Sequence, residues 1–189
     1  MKRLGFALLI LLFAACNRTE STTDTAATNA TDTATVTDTA PATDTTSTVP
    51  PGDLQFATTA SMANLYEIQA GELAKTKATG AKYKEFAETM FKQHTEIGDS
   101  YKPIAEKQGL PMPTQLDGQF ATLYAALSSA AAGAAFDALY KSQMIQTHTD
   151  AKQLFTTEKD TGQDPELKAF AAKWLPTVEH HLEMAKALP

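Results

Sequence analysis

Cysteine and arginine are almost missing from this chain. The one cysteine among its 189 residues is Cys16, so an internal disulfide and a cysteine-based zinc knuckle are both excluded. Only two arginines occur, Arg3 and Arg18, and both precede the region able to fold. Bidentate phosphate recognition leans on the guanidinium fork, and the formal net charge is −6, so nucleic acid is not an expected partner. Long apolar runs are scarce too. The run Leu4–Phe13 is about half of the ~20 residues that a membrane-spanning helix needs. No serine or threonine stands in a recognisable nucleophile elbow, and Cys16 lies outside the folding region, so nucleophilic hydrolysis has no support. What remains is one domain plus appendages, since a typical domain holds about 100–150 residues.

The first 15 residues read as an export signal. Lys2 and Arg3 give a basic start, Leu4–Phe13 the apolar run, and Ala14-Ala15 the small residues before a cut. Phe13-Ala14-Ala15-Cys16 resembles a bacterial lipobox, whose cysteine receives lipid and becomes the mature first residue. The competing reading is an ordinary cleaved signal with an incidental cysteine. Asn17 is not the aspartate that resembles an inner-membrane retention signal. The expectation is therefore an outer-membrane lipoprotein facing the periplasm, with the membrane as partner through lipid on Cys16.

Residues 16–53 form a low-complexity tether. Thr, Ala and Asp recur in loose T-D-T-A echoes that end in Val49-Pro50-Pro51-Gly52. The segment lacks the aliphatic and aromatic side chains needed to offset ordering entropy, so disorder is expected. As a flexible coil it would span on the order of 35 Å.

From residue 54 to 189 the composition shifts to helix formers with regular apolar spacing. The stretch Lys82–Lys107 is the centre of the pattern. Tyr83, Ala87, Met90, His94, Ile97, Tyr101 and Ile104 repeat in steps of four and three, the seam of a helix inside a bundle. His94 takes a seam position where an aliphatic residue would be normal. A first helix is predicted from Asp53, as N-cap, to Thr79, with Phe56, Ala60, Ala63, Glu67, Ala70 and Ala74 on one stripe. Thr79-Gly80 then turns tightly, which makes antiparallel neighbours. Pro103 is expected to kink the second helix, and Gly109 with Pro111-Met112-Pro113 stops it.

Leu110–Gly133 is too long for a simple up-down turn. It holds a short helical piece near Asp117–Ala131 and reads as a crossover along the bundle. The third long helix, Ala134–Lys159, carries Phe136, Tyr140, Met144, His148, Ala151 and Phe155. The fourth opens on Asp164 as N-cap with Pro165 at its first position. Its seam is Leu167, Ala171, Trp174, Val178, His181, Ala185 and Leu188, and Pro176 is expected to bend it. The fold class is all-α: a four-helix bundle with a helix-containing crossover between the second and third long helices.

Glu67, His94, His148 and His181 come from four different helices, at or beside seam positions. At ~1.5 Å per residue all four lie about 17–24 Å from the same end of the bundle. Three of the chain's four histidines thus share one depth with a carboxylate, and buried polar groups must be paired. One reading is a single transition-metal ion, copper, zinc or iron, on these four residues. Met90 and Met144 stand one turn from His94 and His148 as outer ligands, and thioethers tilt the choice toward copper. The other is a metal-free layer of His–Glu and His–Tyr hydrogen bonds that fixes helix register, with methionine as seam filler. A di-iron centre does not fit, because Phe91, Ile145 and Val178 stand where a Glu-x-x-His motif needs glutamate. Glu179 and His180 point away from the seam and are expected to face water.

Four motifs also carry a family resemblance. They are Glu67-Ile68-x-x-Gly71-x-Leu73-Ala74, Phe86-Ala87-x-x-Met90-x-x-x-His94-Thr95, Phe136-Asp137-x-x-Tyr140-x-x-x-Met144-x-x-x-His148 and Leu175-Pro176-x-x-x-x-His181-Leu182. In this order, over Leu54–Leu188, they resemble domain-of-unknown-function family 4142, a family of exported bacterial proteins. The resemblance implies a ferritin-like four-helix bundle and brings no activity, substrate or cofactor. The family usually has aspartate before the histidine of the second helix. Here Gln93 stands there, which removes a carboxylate from beside His94. The functional expectation is a lipid-anchored envelope protein that binds a transition metal for metal handling or stress protection, without turnover. The alternative is a metal-free interaction or stress module that docks an unspecified protein through the alanine-rich crossover Ala121–Ala135.

Overall fold

Proline, not aspartate, starts the first helix. In the computed structural model, which describes residues 48–189, α1 runs Pro51–Lys77 with Pro50 at its cap. Proline suits the first helical turn because the N–H it lacks would be unbonded there anyway. The helix thus begins inside the stretch expected to be tether, and Asp53 is not its cap. Asp53 is buried instead, and its carboxylate accepts from the backbone N–H groups of Gln163 and Asp164 at 3.0 Å each. Cys16, the signal segment and most of the tether lie outside the described residues.

The other helices follow the sequence signals closely. α2 runs Ala81–Gln108 and stops at Gly109, whose φ of 66° is left-handed backbone that glycine takes without strain. α3, Gly118–Ser129, starts after Asp117. α4 is Ala134–Thr161. α5 is Pro165–Lys186, and the Asp164 side chain caps it by accepting from the N–H groups of Glu166 and Leu167. Neither Pro103 nor Pro176 ends its helix. Among the described residues there is no strand, and no helix is long and apolar enough to cross a membrane.

α1 packs against α2, and α4 against α5, as two hairpins. Contacts of α1 with α4 and of α2 with α5 join the hairpins, while α3 lies on α1 and α4. The turns show the directions. Asp137, near the start of α4, accepts from the N–H groups of Thr79 and Gly80 in the α1–α2 turn, both at 3.2 Å. Asp53, near the start of α1, does the same for the α4–α5 turn. A buried carboxylate from each hairpin therefore holds the turn of the other. α2 and α4 run parallel, so the segment containing α3 carries the chain back along the bundle. This is the ferritin-like four-helix bundle with its crossover between the second and third long helices.

Where α1 meets α2 the backbones nearly touch. A Cβ on Gly71 would lie 3.1 Å from the Phe91 nitrogen and 3.2 Å from the Ala87 carbonyl oxygen, so any other residue would push the two backbones apart by a few tenths of an ångström. The interior falls into two apolar clusters. The upper one gathers Tyr66, Met90, Phe136, Tyr140 and Met144. The lower one gathers Phe56, Ile97, Phe155, Leu167 and Phe170. Between them lie the side chains of Glu67, His94, His148 and His181.

Candidate metal centre

Each helix delivers its polar residue to the level between the clusters because the four-three seam keeps one stripe inward over many turns. Glu67, His94, His148 and His181 are all buried, with at most 6% of their surface exposed. The three imidazoles form a near-equilateral group. Their ring centroids stand 5.5 Å (His94–His148), 5.2 Å (His94–His181) and 5.3 Å (His148–His181) apart. One ring nitrogen from each lies within 4.8 Å of the other two.

Each imidazole spends its other nitrogen on an oxygen acceptor. His148 Nδ1 is 2.9 Å from the Met144 carbonyl, which can only accept, so Nδ1 carries the proton and Nε2 a lone pair. His94 Nδ1 donates to Asn64 Oδ1 at 3.0 Å, leaving Nε2 bare. His181 Nε2 donates to Gln93 Oε1, leaving Nδ1 buried without a partner. The bare Nε2 atoms of His94 and His148 then face each other at 3.4 Å. Two lone pairs that close repel unless a cation lies between them. Two nitrogens bound tetrahedrally at about 2.0–2.1 Å from one ion would be about 3.3–3.4 Å apart.

Electrostatics keep the rings neutral. Burial, together with the neighbouring His148 and His181, holds His94 well below the usual imidazole range. Burial lowers His148 to about 4 and His181 to about 3. All three present unprotonated nitrogen at neutral pH, the form that binds metal.

Glu67 shares their level and not their centre. Its Oε1 accepts from Thr147 Oγ1 at 2.6 Å and lies 3.8 Å from His148 Nδ1, on the side of that ring away from His94. Oε2 is buried with no partner. Burial raises its carboxyl to about 8, opposed by the Thr147 hydrogen bond, so it is mainly a neutral acid at pH 7. Met90 and Met144 are fully buried in the upper cluster, and what Met144 gives His148 is its carbonyl. Glu179 pairs with Lys152 at 3.0 Å, and His180 is exposed. Sequence reasoning missed Asn64, Gln93 and Thr147, the groups that orient the layer. Gln93 follows a seam stripe by chain neighbourhood alone, and it serves His181 across the helix interface, not the adjacent His94.

The profile of Domain of unknown function (DUF4142) matches residues 37–188. The chain belongs to this family. No curated protein matches it. Three solved structures share the fold. A DUF305 fragment from Deinococcus radiodurans aligns with a TM-score of 0.62 at 14% identity, over 73% of this chain and 95% of that one. CopM in the Cu(I)-bound form aligns with a TM-score of 0.57 at 20% identity, over 71% of this chain and 92% of that one. The Cu(II)-bound form of CopM gives the same score and identity over 71% and 93%. At these identities the likeness shows the bundle and nothing about the side chains inside it.

Proposed function

We propose that this domain binds one copper ion through His94, His148 and His181 and holds it without turnover, as a metal-handling protein of the cell envelope. The observation that carries the reading is the arrangement of three neutral, buried imidazoles. Each donates its outer N–H to an oxygen, the bare nitrogens of His94 and His148 face each other, and that of His181 is buried and unpaired beside them. Ligating histidines are oriented this way by their outer partners. The buried methionines beside the layer and the copper-bound state of CopM favour copper over zinc or iron. In the same proposal lipid on Cys16 tethers the mature chain to the outer membrane on its periplasmic side.

A metal-free layer is the competing reading, and the 3.4 Å contact between His94 and His148 is what favours it. With the Asn64 amide reversed, His94 Nε2–H could donate to His148. His181 Nδ1 would still be buried and unpaired, a loss of about 1–3 kcal/mol for such an atom. Titration of the purified chain with Cu(I) and Cu(II) against a competing chelator separates the two. The copper reading expects one ion per chain, lost in a His94→Ala, His148→Ala double variant; no saturable uptake supports the metal-free layer. Separately, Cys16→Ser is expected to leave the membrane fraction. If it stays there, lipid on Cys16 is not the anchor.

A further inference from the structure

We infer that the α4–α5 turn carries a proton-controlled latch. One hydrogen bond between the carboxyls of Glu158 and Asp53 holds the start of α1 to the turn, and it breaks as the solution turns alkaline. The inference rests on neither the histidine layer nor copper. Both carboxyls sit on the same few residues. Asp53 is 2% exposed and accepts from the N–H groups of Gln163 and Asp164. Glu158, in the last turn of α4, is 4% exposed. Its Oε1 presses on Gly162, where a Cβ would lie 2.5 Å away. Two buried carboxyls in contact hold together only with a proton between them. Asp53 already spends both oxygens as acceptors of N–H groups, so Glu158 supplies the O–H and donates to Asp53. No donor among the described residues reaches the buried Oε1 of Glu158. Ionising this group would leave an uncompensated charge beside a second carboxylate.

The other hairpin turn shows what the proton adds. Asp137 holds the N–H groups of Thr79 and Gly80 there, but its further donor is the Thr79 hydroxyl, at 3.1 Å from Oδ2. A hydroxyl keeps its proton at any ordinary pH, whereas a carboxyl does not. Burial, and after it the nearby Asp53 and Asp164, raise Glu158 to about 7, with Lys168 opposing. Lys168 also donates to the carbonyls of Asp160 and Gly162, both at 3.4 Å. On the α2 side, Lys107 pairs with Glu166 at 2.9 Å and Gln108 donates to Asp164 at 3.3 Å. On α4 itself, Lys159 pairs with Asp160. The folded value lies above the unfolded 4.5, so the contribution of the latch is complete below 4.5 and is lost as pH rises through about 7. What loosens is the end of the bundle to which residues 1–47 are joined, where Val49 and Phe56 enter the lower cluster.

The test is residue-resolved amide hydrogen exchange on metal-free full-length protein, corrected for the intrinsic rate at each pH. The quantity read is the protection of the Gln163 and Asp164 N–H groups relative to those of Thr79 and Gly80, which cancels any loss of global stability. Between pH 6 and pH 8.5 this ratio is expected to fall at least about tenfold, because each pH unit above the folded value shifts the proton equilibrium tenfold. Glu158→Gln keeps a donor that does not titrate, and it should hold the ratio constant. Asp53→Asn should lower the ratio at both pH values. The carboxyl carbon of Glu158 should titrate with a midpoint near 7 in the carbon-13 spectrum. A ratio that does not change with pH overturns the proposal, as does the same fall in Glu158→Gln. So does a Glu158 carboxyl already ionised at the lower pH. Because no metal is present, failure here leaves the copper reading standing, and failure of copper binding leaves the latch standing.

Discussion

Above the histidine layer, Phe136 stacks on Tyr140 and Tyr140 meets Phe86 edge-on, at ring separations of 5.9 and 5.8 Å. Below it, Phe56 meets Phe155 edge-on at 5.2 Å. In both apolar clusters most contacts are between shapes, the buried hydrogen bond from Tyr66 to Gln143 at 2.8 Å being an exception. The layer between them works by direction. Every imidazole there has one fixed donor bond, and rotating any ring by half a turn would put carbon where its nitrogens now stand. The clusters therefore account for stability, whereas the layer leaves the buried Nδ1 of His181 unpaired at a cost in stability.

Four experiments break or sharpen that contrast. The largest effect is expected in a cluster: Phe136 is fully buried, and Phe136→Ala should cost about 3–5 kcal/mol in denaturant unfolding. The protein that remains folded should still bind copper. His181→Leu should do the reverse. Copper affinity should fall at least about 100-fold, roughly 2.7 kcal/mol, while the metal-free protein unfolds no earlier, because a buried unpaired nitrogen is gone. A matching drop in metal-free stability would show that the layer is itself a stabilising element. Gln93→Leu frees His181 from its orienting acceptor and should weaken copper by about 10–100-fold, read by the same chelator competition.

The fourth is pH. Burial raises Glu67 to about 8, and burial with the neighbouring Asp53 raises Glu158 to about 7. The folded state holds those two protons more tightly than the unfolded chain does. Their contribution is complete below the unfolded value of 4.5 and is lost as pH rises to 7 and 8. His94, His148 and His181 are lowered, so their contribution is complete above the unfolded value of 6.5 and is lost as pH falls below it. Between 4.5 and 6.5 the three histidines outweigh the two glutamates, and above 6.5 only the glutamates act. Metal-free stability from these five groups should therefore peak near pH 6.5, with slopes of roughly 1.4 kcal/mol per pH unit per proton. A maximum above pH 8 would mean that Glu67 is ionised in the fold. Urea midpoints across pH 4–9 make the measurement.

The seams were legible because a four-three step survives any uncertainty in helix ends. Tyr83, Met90, Ile97, Phe136, Leu167 and Val178 are all buried as the spacing predicts. The common depth of Glu67 and the histidines was legible for a related reason, since Asp164-Pro165 and Gly109 mark helix ends in the sequence itself. Direction around the helix was not. Glu67 has the right depth, yet its oxygens turn to Thr147 and away from the three bare nitrogens. Gln93 sits one residue before His94, but one residue is about 100° of helix, and that rotation carries it to His181. Asp53 looked like a cap because its partners lie 110 residues away, where only the fold brings them.

The most direct measurement is X-ray absorption at the copper edge of the loaded full-length protein. Binding at the layer predicts one copper per chain with three imidazole nitrogens at about 2.0 Å and the multiple-scattering pattern of histidine rings. That signal should vanish in His94→Ala, His148→Ala. Copper coordinated mainly by oxygen, or the same spectrum in the double variant, would contradict it.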